Sequence, residues 1–135
     1  MDYKLIDIPK ITDPRGNLAV VEGDTIPFAT KRVYYLFDVP SNSHRGGHAH
    51  KQCQSLLIAL SGSFTVKLYD GKTHKSILLN KPDKGLLIPT MLWRELEDFS
   101  SGAVCLSIAS HDFDETDYIR DLHEFELATS PDSKA

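Results

Sequence analysis

Residues 54–68 read QSLLIALSGSFTVKL, and this stretch decides the fold class. Two apolar runs rich in β-branched and aromatic residues lie on either side of Ser61-Gly62, a pair typical of a tight turn. The stretch therefore predicts two consecutive β-strands joined by a turn.

The same alternation of β-rich runs and turns continues along the chain. Residues 31–37 (KRVYYLF) and 103–109 (AVCLSIA) are further strand candidates, and turn signals recur at 13–16, 70–71, 84–85 and 100–102. A turn-to-turn spacing of about ten residues favours an all-β sandwich or barrel over alternating β and α units. We predict one domain over residues 1–135, with a helix at 114–125 capped by Asp114 and a frayed tail at 126–135.

Composition and charge narrow the class of function. The 135 residues have the size of a single domain with one hydrophobic core. A formal net charge of -4 argues against a nucleic-acid-binding surface, which is normally basic. The first residues do not resemble a secretory signal, and no apolar run is long enough to span a bilayer. Cys53 and Cys105 are expected to be buried free thiols, and the expected compartment is the cytoplasm.

The segment 44–51 (HRGGHAHK) contains the strongest functional signal. On an extended strand, residues two apart point the same way, so His48 and His50 are predicted to project side by side. In a β-barrel the inward face lines a ligand cavity. Two imidazoles aimed into a cavity predict either a metal site or proton transfer, whereas the other four histidines are expected to be ordinary surface or core residues.

A metal site is the weaker of these two interpretations. In cupin barrels, His-x-His begins a metal site that continues with a Glu and a later His. Here those positions hold Gln54 and, in the later segment, Trp93 and Arg94. Glutamine is a weak ligand and arginine cannot coordinate, so no metal is predicted.

Proton chemistry fits the same residues. A neutral imidazole can accept and return a proton at physiological pH. Arg94 would favour the neutral form of a nearby histidine or stabilise an oxyanion on a substrate carbonyl. Tyr34 and Tyr35 are adjacent, so one of them points inward and can offer a phenolic proton.

Five motifs resemble those of the sugar-nucleotide 3,4-ketoisomerases, a cupin family that acts on dTDP-4-keto-6-deoxyglucose. They lie at residues 13–16, 31–38, 45–51, 93–100 and 114–120, and the resemblance covers residues 6–125. It implies a cofactor-free homodimeric cupin barrel with a short C-terminal helical segment. The implied product is a dTDP-3-keto-6-deoxyhexose, which an aminotransferase converts to a 3-amino sugar for surface polysaccharide.

The resemblance also implies roles for nine residues. His50 would be the general base, His48 its partner in the pocket, and Tyr35 the tyrosine beside the hexose. Arg15 and Arg94 would lie at the cavity edge. The remaining implied substrate-binding residues are Arg32, Arg45 and Lys51, which would contact the diphosphate, and Trp93.

Two alternatives and one open point remain from the sequence. The alternatives are a 3,5-epimerase acting on the same 4-keto sugar and a non-catalytic sugar- or nucleotide-binding cupin module. Arg94 stands where related sequences can carry histidine, and arginine does not act as an acid. The proton donor to C4 is therefore open, with the gluco configuration of the product slightly favoured over galacto.

Overall fold

The protein is described by a computed structural model, which describes residues 1–131. Two five-stranded antiparallel sheets and one separate hairpin account for all twelve strands of this part of the chain. The first sheet has the order β1 (Lys4–Asp7), β9 (Lys84–Ile88), β6 (Ser55–Ser61), β11 (Val104–Ala109), β4 (Arg32–Leu36). The second has the order β12 (Tyr118–Ile119), β5 (Arg45–His50), β10 (Trp93–Glu97), β7 (Phe64–Tyr69), β8 (His74–Leu79). The hairpin pairs β2 (Lys10–Asp13) with β3 (Gly16–Ala19).

The main hydrophobic core lies between the two sheets. Its members include Leu57 and Ala59 from β6 in the first sheet and Phe64, Val66 and Leu68 from β7 in the second. Along β7 the buried residues alternate with partly exposed ones, as expected for a strand with one face in the core. The all-β sandwich or barrel predicted from the sequence is therefore confirmed.

Strand β6 is apolar on both faces because the first sheet is covered on both sides. Leu57 and Ala59 point into the main core, while Leu56 and Ile58 join a second cluster with Ile8 and other residues on the opposite face. Residues 55–59 are all buried, which explains why residues 56–59 form a continuous apolar run rather than an alternating one.

The C-terminal part differs from the helix predicted at 114–125. A 3₁₀ helix at Glu115–Asp117 is followed by strand β12, and α1 begins only at Leu122. Asp114 accepts a hydrogen bond from the backbone N of Thr116 and so caps the 3₁₀ turn instead of a long helix. Pairing of β12 with His50 and Ala49 of β5 satisfies its backbone in the sheet, which overrides the helical periodicity.

Helix α1 (Leu122–Thr129) also includes residues 126–129, which the sequence assigned to a frayed tail. Asp121 caps the helix by accepting from the backbone N of Glu124 at 2.9 Å. Phe125 is fully buried and packs on Trp93, with ring centroids 5.7 Å apart. These contacts fix the helix against β10, which corrects the tail prediction for 126–129, while residues 132–135 lie outside the described part.

Three further features bear on the sequence predictions. Cys53 and Cys105 are buried and unpaired, as predicted. Within residues 1–131, no helix has the length and apolar character needed to cross a membrane. The β2–β3 hairpin exposes Ile11 and Leu18 and forms its own two-stranded sheet.

Candidate active site

A cavity of about 500 Å³ opens at one end of the space between the two sheets. Strands β4, β5, β10 and β11 contribute its walls, and the segment at 113–120 closes one side. Its charged and titratable lining includes Arg32, Arg45, His48, Arg94 and Arg120. A cavity lined by four arginines is suited to an anionic ligand.

The two histidines of the His-x-His motif project together, as predicted. Their rings are 4.8 Å apart and nearly perpendicular. His48 lines the cavity, and its Nε2 is buried without a hydrogen-bond partner among the described residues. His50 is not itself among the residues that line the cavity; it is buried against two residues that do, His48 and Tyr118, and its ring centroid lies 4.4 Å from that of Tyr118.

Glycine precedes the histidines for a backbone reason at Gly46. Its φ is 85°, which a side chain would strain, although a Cβ there would meet Leu96 only at an ordinary 3.7 Å. The backbone conformation, rather than a close approach by another group, therefore explains glycine at this position.

Asp117 fixes the orientation of His50. Its Oδ2 lies 2.9 Å from His50 Nδ1, and both groups are largely buried. The carboxylate is itself held by the backbone N–H groups of Gln52, at 2.7 Å from Oδ1, and Cys53, at 3.2 Å from Oδ2. Since a carboxylate only accepts, it favours the proton on Nδ1 and leaves Nε2 of the neutral ring with a free lone pair.

The pKa of each histidine is lowered. For His48, burial is the largest cause, followed by the charge of Arg94, and the pKa falls to about 2. For His50, burial and Arg94 outweigh the raising effect of Asp117, and the pKa falls to about 4. Both rings are therefore neutral, and so able to accept a proton, at neutral pH.

Arg94 is a buried cation with no carboxylate in salt-bridge distance within residues 1–131. Its Nη2 donates to the carbonyl of Leu92 at 3.0 Å, its Nη1 reaches Ser55 Oγ at only 3.5 Å, and its Nε has no partner. Burial lowers its pKa to about 10, which still leaves it charged at neutral pH. Such a cation is poised for an anionic or developing negative group in the cavity.

The inward tyrosine is Tyr34, not Tyr35. Tyr34 lines the cavity, whereas Tyr35 is 61% exposed on the outer face of β4 and packs on Phe37. The strand directs Arg32, Tyr34 and Leu36 inward, and period-two alternation then forces Tyr35 outward. This corrects the placement of Tyr35 that the resemblance implied.

The cations predicted to bind substrate fall into two groups. Arg32 and Arg45 line the cavity, with the Arg32 guanidinium 4.5 Å from the Tyr34 ring centroid. Lys51 lies outside the lining and donates to the carbonyl of Thr116. Arg15 is at the tip of the β2–β3 hairpin, where it pairs with its neighbour Asp13 and does not reach the cavity of its own chain.

Trp93 lies outside the site in the structure, and two residues that the sequence did not predict lie within it. Trp93 is on the opposite face of β10 from Arg94 and packs on Phe125. Arg120 lines the cavity with its guanidinium 4.1 Å from the Tyr118 ring centroid. Asp117 and Arg120 both lie within the matched motif at 114–120, which was the available signal for them.

Comparison with known proteins identifies the family. The family model described as "FdtA: WxcM-like, C-terminal" matches residues 1–130. The chain belongs to this family. It is 45% identical over 126 residues, 93% of this chain and 91% of the relative, to the TDP-4-oxo-6-deoxy-alpha-D-glucose-3,4-oxoisomerase of Aneurinibacillus thermoaerophilus.

Solved structures of FdtA-like proteins share the whole fold. A mutant of the 3,4-ketoisomerase QdtA from Thermoanaerobacterium thermosaccharolyticum, in complex with TDP-4-keto-6-deoxyglucose, has a TM-score of 0.93 at 40% identity, covering 95% of this chain and 94% of that one. The WlaRB TDP-quinovose 3,4-ketoisomerase from Campylobacter jejuni has a TM-score of 0.89 at 44% identity, covering 93% and 98%. The facing antiparallel sheets are thus a cupin fold, as the sequence predicted.

Proposed function

We propose that this chain is a TDP-sugar 3,4-ketoisomerase that converts TDP-4-keto-6-deoxyglucose to a TDP-3-keto-6-deoxyhexose. Its relatives in the family carry this activity in their names, and one is bound to this 4-keto sugar. The observation that carries the proposal is the neutral, Asp117-oriented His50 next to the unpaired Arg94. A base beside an anion-stabilising cation is what an enolisation requires.

The first step removes the C3 proton, which the neighbouring C4 carbonyl acidifies. His50 takes this proton on Nε2, and the C–H electrons form the C3–C4 double bond while the carbonyl electrons move to O4. The resulting enediolate carries its negative charge on O4. Arg94, which has an unused Nε–H, stabilises this charge.

The second step forms the new ketone at C3. The C3 hydroxyl gives up its proton and its O–H electrons form the C3 carbonyl, while the electrons of the C3–C4 double bond take up a proton at C4. The proton lost from the C3 hydroxyl passes through His48 to O4, which becomes the C4 hydroxyl. No electrons leave the substrate, so no redox partner is needed. His48 lines the cavity with an Nε2 that has no hydrogen-bond partner among the described residues, and it is assigned to carry the hydroxyl proton.

Substrate recognition is assigned to the cations and the tyrosine at the cavity wall. Arg32 and Arg45 provide guanidinium groups suited to a diphosphate, which arginine can bind through paired hydrogen bonds. Arg120, by contrast, is already paired with Glu115. Tyr34 replaces Tyr35 beside the hexose. The chain is 44% identical to a TDP-quinovose 3,4-ketoisomerase and 34% identical to a TDP-fucose 3,4-ketoisomerase, and the higher identity to the first supports the gluco configuration at C4 of the product.

A homodimer is also part of the proposal. Strand β4 lies at a sheet edge and exposes Val33, Tyr35 and Phe37 on its outer face. The β2–β3 hairpin is exposed and needs additional packing, since a lone two-stranded hairpin is marginally stable. A second copy that covers both surfaces would also allow Arg15 at the hairpin tip to reach the partner's cavity, where the resemblance places it. Light scattering of purified protein tests the dimer, and a monomer at micromolar concentration would contradict it.

The deciding experiment is an NMR assay with TDP-4-keto-6-deoxyglucose in deuterated buffer, using wild type, His50→Asn and the surface control His74→Asn. We expect wild type and H74N to move the ketone to C3 with deuterium at C4, and H50N to bind TDP without turnover. The coupling of the C4 proton in unlabelled buffer gives the product's configuration. A ketone that stays at C4 with exchange at C3 and C5 would indicate the epimerase, and TDP binding without any reaction in wild type would indicate the binding module.

A further inference from the structure

Next to His50 and Asp117 lies Cys53, whose thiol is a third group that can bind a metal ion. His50, Cys53 and Asp117 place a ring nitrogen, a thiol sulfur and a carboxylate oxygen within 4.8 Å of one another. His50 and Cys53 are buried, and Asp117 is nearly so. Of these three residues, only His50 is also one of the cupin metal positions discussed above. Cys53 and Asp117 are not.

We propose that His50, Cys53 and Asp117 form an inhibitory site for Zn²⁺ or a similar thiophilic divalent cation. Nitrogen, sulfur and oxygen donors from three residues, with a fourth position left for water, are a common zinc arrangement. The thiol favours soft or borderline metals over Mg²⁺ and Ca²⁺, which prefer oxygen donors. The binding site is independent of the proposed function, whereas the inhibitory effect rests on it.

The geometry needs only a small adjustment. Zinc bond lengths of about 2.0–2.3 Å place tetrahedral ligand atoms roughly 3.3–3.8 Å apart. His50 Nδ1 and Asp117 Oδ2 are already 2.9 Å apart, so an ion would push them slightly apart as it replaces the proton between them. Rotation of the Cys53 side chain, which now makes a long 3.4 Å contact with the Gln54 carbonyl, closes the remaining gap.

Charge and proton balance are consistent with a divalent ion. Binding releases the Nδ1 proton of His50 and the thiol proton of Cys53, while Asp117 is already a carboxylate. The anionic ring of His50 does not have to persist, because its Nε2 regains a proton from water, so one net proton leaves with the thiol. The thiolate and the carboxylate then balance the two charges of the ion.

One member of the cluster, Asp117, also lines a second cavity. This cavity, of about 460 Å³, is lined by Asp117, by the neighbouring Gln52 and by residues of the 110–114 segment. Asp112 and Asp114 add two carboxylates to Asp117, against the single cation of Lys31. The excess of carboxylates over cations in this lining attracts a cation toward Asp117.

The expected consequence is loss of the base. An ion on Nδ1 breaks the hydrogen bond by which Asp117 orients His50, and the proton then carried by Nε2 leaves this nitrogen without the lone pair that accepts the C3 proton. The charge of the nearby Arg94 guanidinium acts on His50 and creates a positive field at the cluster. The same field opposes a cation, and we expect micromolar rather than structural affinity.

The test uses Co²⁺ and Zn²⁺ on chelator-treated protein, with Cys53→Ser and the equally buried Cys105→Ser as a matched control for binding. We expect wild type and C105S to develop a thiolate-to-cobalt charge-transfer band in the near ultraviolet that Zn²⁺ abolishes. C53S should lack the band and require at least tenfold more Zn²⁺ for half-inhibition, with the inhibition of each variant expressed relative to its own metal-free rate.

The absorption band does not depend on turnover, so it separates this proposal from the proposed function. A wild-type band that C53S retains, or no band in wild type at saturating Co²⁺, would overturn the site. Zinc inhibition of equal strength in wild type and C53S would show that the ion acts elsewhere. Because serine could disturb the buried position, Cys53→Ala and circular dichroism spectra serve as the second variant and the folding check.

Discussion

Nδ1 of His50 lies 2.9 Å from Oδ2 of Asp117, although 67 positions separate the two residues in the sequence. The fold brings them together because β12, which begins directly after Asp117, pairs with the end of β5 at His50 and Ala49. The backbone N–H groups of Gln52 and Cys53 then lock the carboxylate in place. The pairing of β12 with β5 thus also sets the orientation of His50, the proposed base.

Replacing Asp117 with asparagine should reduce kcat far more than it weakens substrate binding. The amide no longer ensures that the proton stays on Nδ1 of His50, so a fraction of the rings present the wrong tautomer. We expect kcat to fall roughly 100-fold, within the range of a lost acid–base contribution, with TDP affinity changed less than threefold. Steady-state kinetics and TDP titration measure both, and an equal loss in kcat and TDP affinity would instead indicate a collapsed site.

The two adjacent tyrosines allow a matched comparison. Tyr34→Phe removes a hydroxyl from the cavity wall, whereas Tyr35→Phe removes one from the outer face of β4. We expect kcat/KM to fall about tenfold in Y34F, the equivalent of about 1.4 kcal/mol, and to stay within twofold of wild type in Y35F. The reverse order would restore Tyr35 to the site.

This pair also shows where sequence reasoning stops. The strand at residues 54–60 and the shared direction of His48 and His50 follow from local pattern, because burial on both faces and period two are visible in the chain itself. In β4 the outer face, with Tyr35 and Phe37, is as apolar as the inner one, so alternation cannot say which tyrosine points inward.

The other differences between the sequence predictions and the structure also arise from contacts between segments that are distant in the sequence. Helical spacing over 114–125 predicted one helix, but sheet pairing at Tyr118 interrupts it. Asp117 was not singled out because nothing within several residues of it marks a histidine partner. Pairing between segments distant in the sequence therefore determines both the structure of residues 114–125 and the orientation of His50.

The pH dependence follows from the lowered histidine pKa values. Since the pKa of His50 is about 4 in the free protein, kcat/KM should stay flat from pH 8 to pH 6 and decline only as the pH approaches 4. A histidine with its ordinary pKa would produce the decline near pH 6.5. Buffer-matched kinetics measure the profile, and a midpoint above pH 6 would contradict the neutral buried pair.

Stability should respond to acid in the corresponding direction. A histidine whose folded pKa lies below its unfolded value stabilises the fold above about pH 6.5, and this contribution is lost as the pH falls toward the folded value. His48 and His50 both have this sign, so the free energy of unfolding should decrease by up to about 1.4 kcal/mol per pH unit for each ring below pH 6.5. His48→Gln should flatten this slope in urea denaturation between pH 6.5 and 4.5, and an unchanged slope would indicate that other groups control it.

Removing the charge of Arg94 should increase the stability of the protein and decrease its activity. Its charge is buried without a carboxylate partner in residues 1–131, which is costly unless a ligand supplies the negative charge. Arg94→Met keeps a similar volume without the charge, so we expect the free energy of unfolding to rise by about 1–3 kcal/mol while kcat falls at least 100-fold. Arg45→Met, which removes an exposed guanidinium from the same cavity, should change stability by less than about 0.5 kcal/mol. Urea denaturation of wild type and both variants measures these free energies of unfolding. A lower value for R94M than for wild type would contradict the prediction, because it would show that the buried guanidinium stabilises the fold even without the substrate's negative charge.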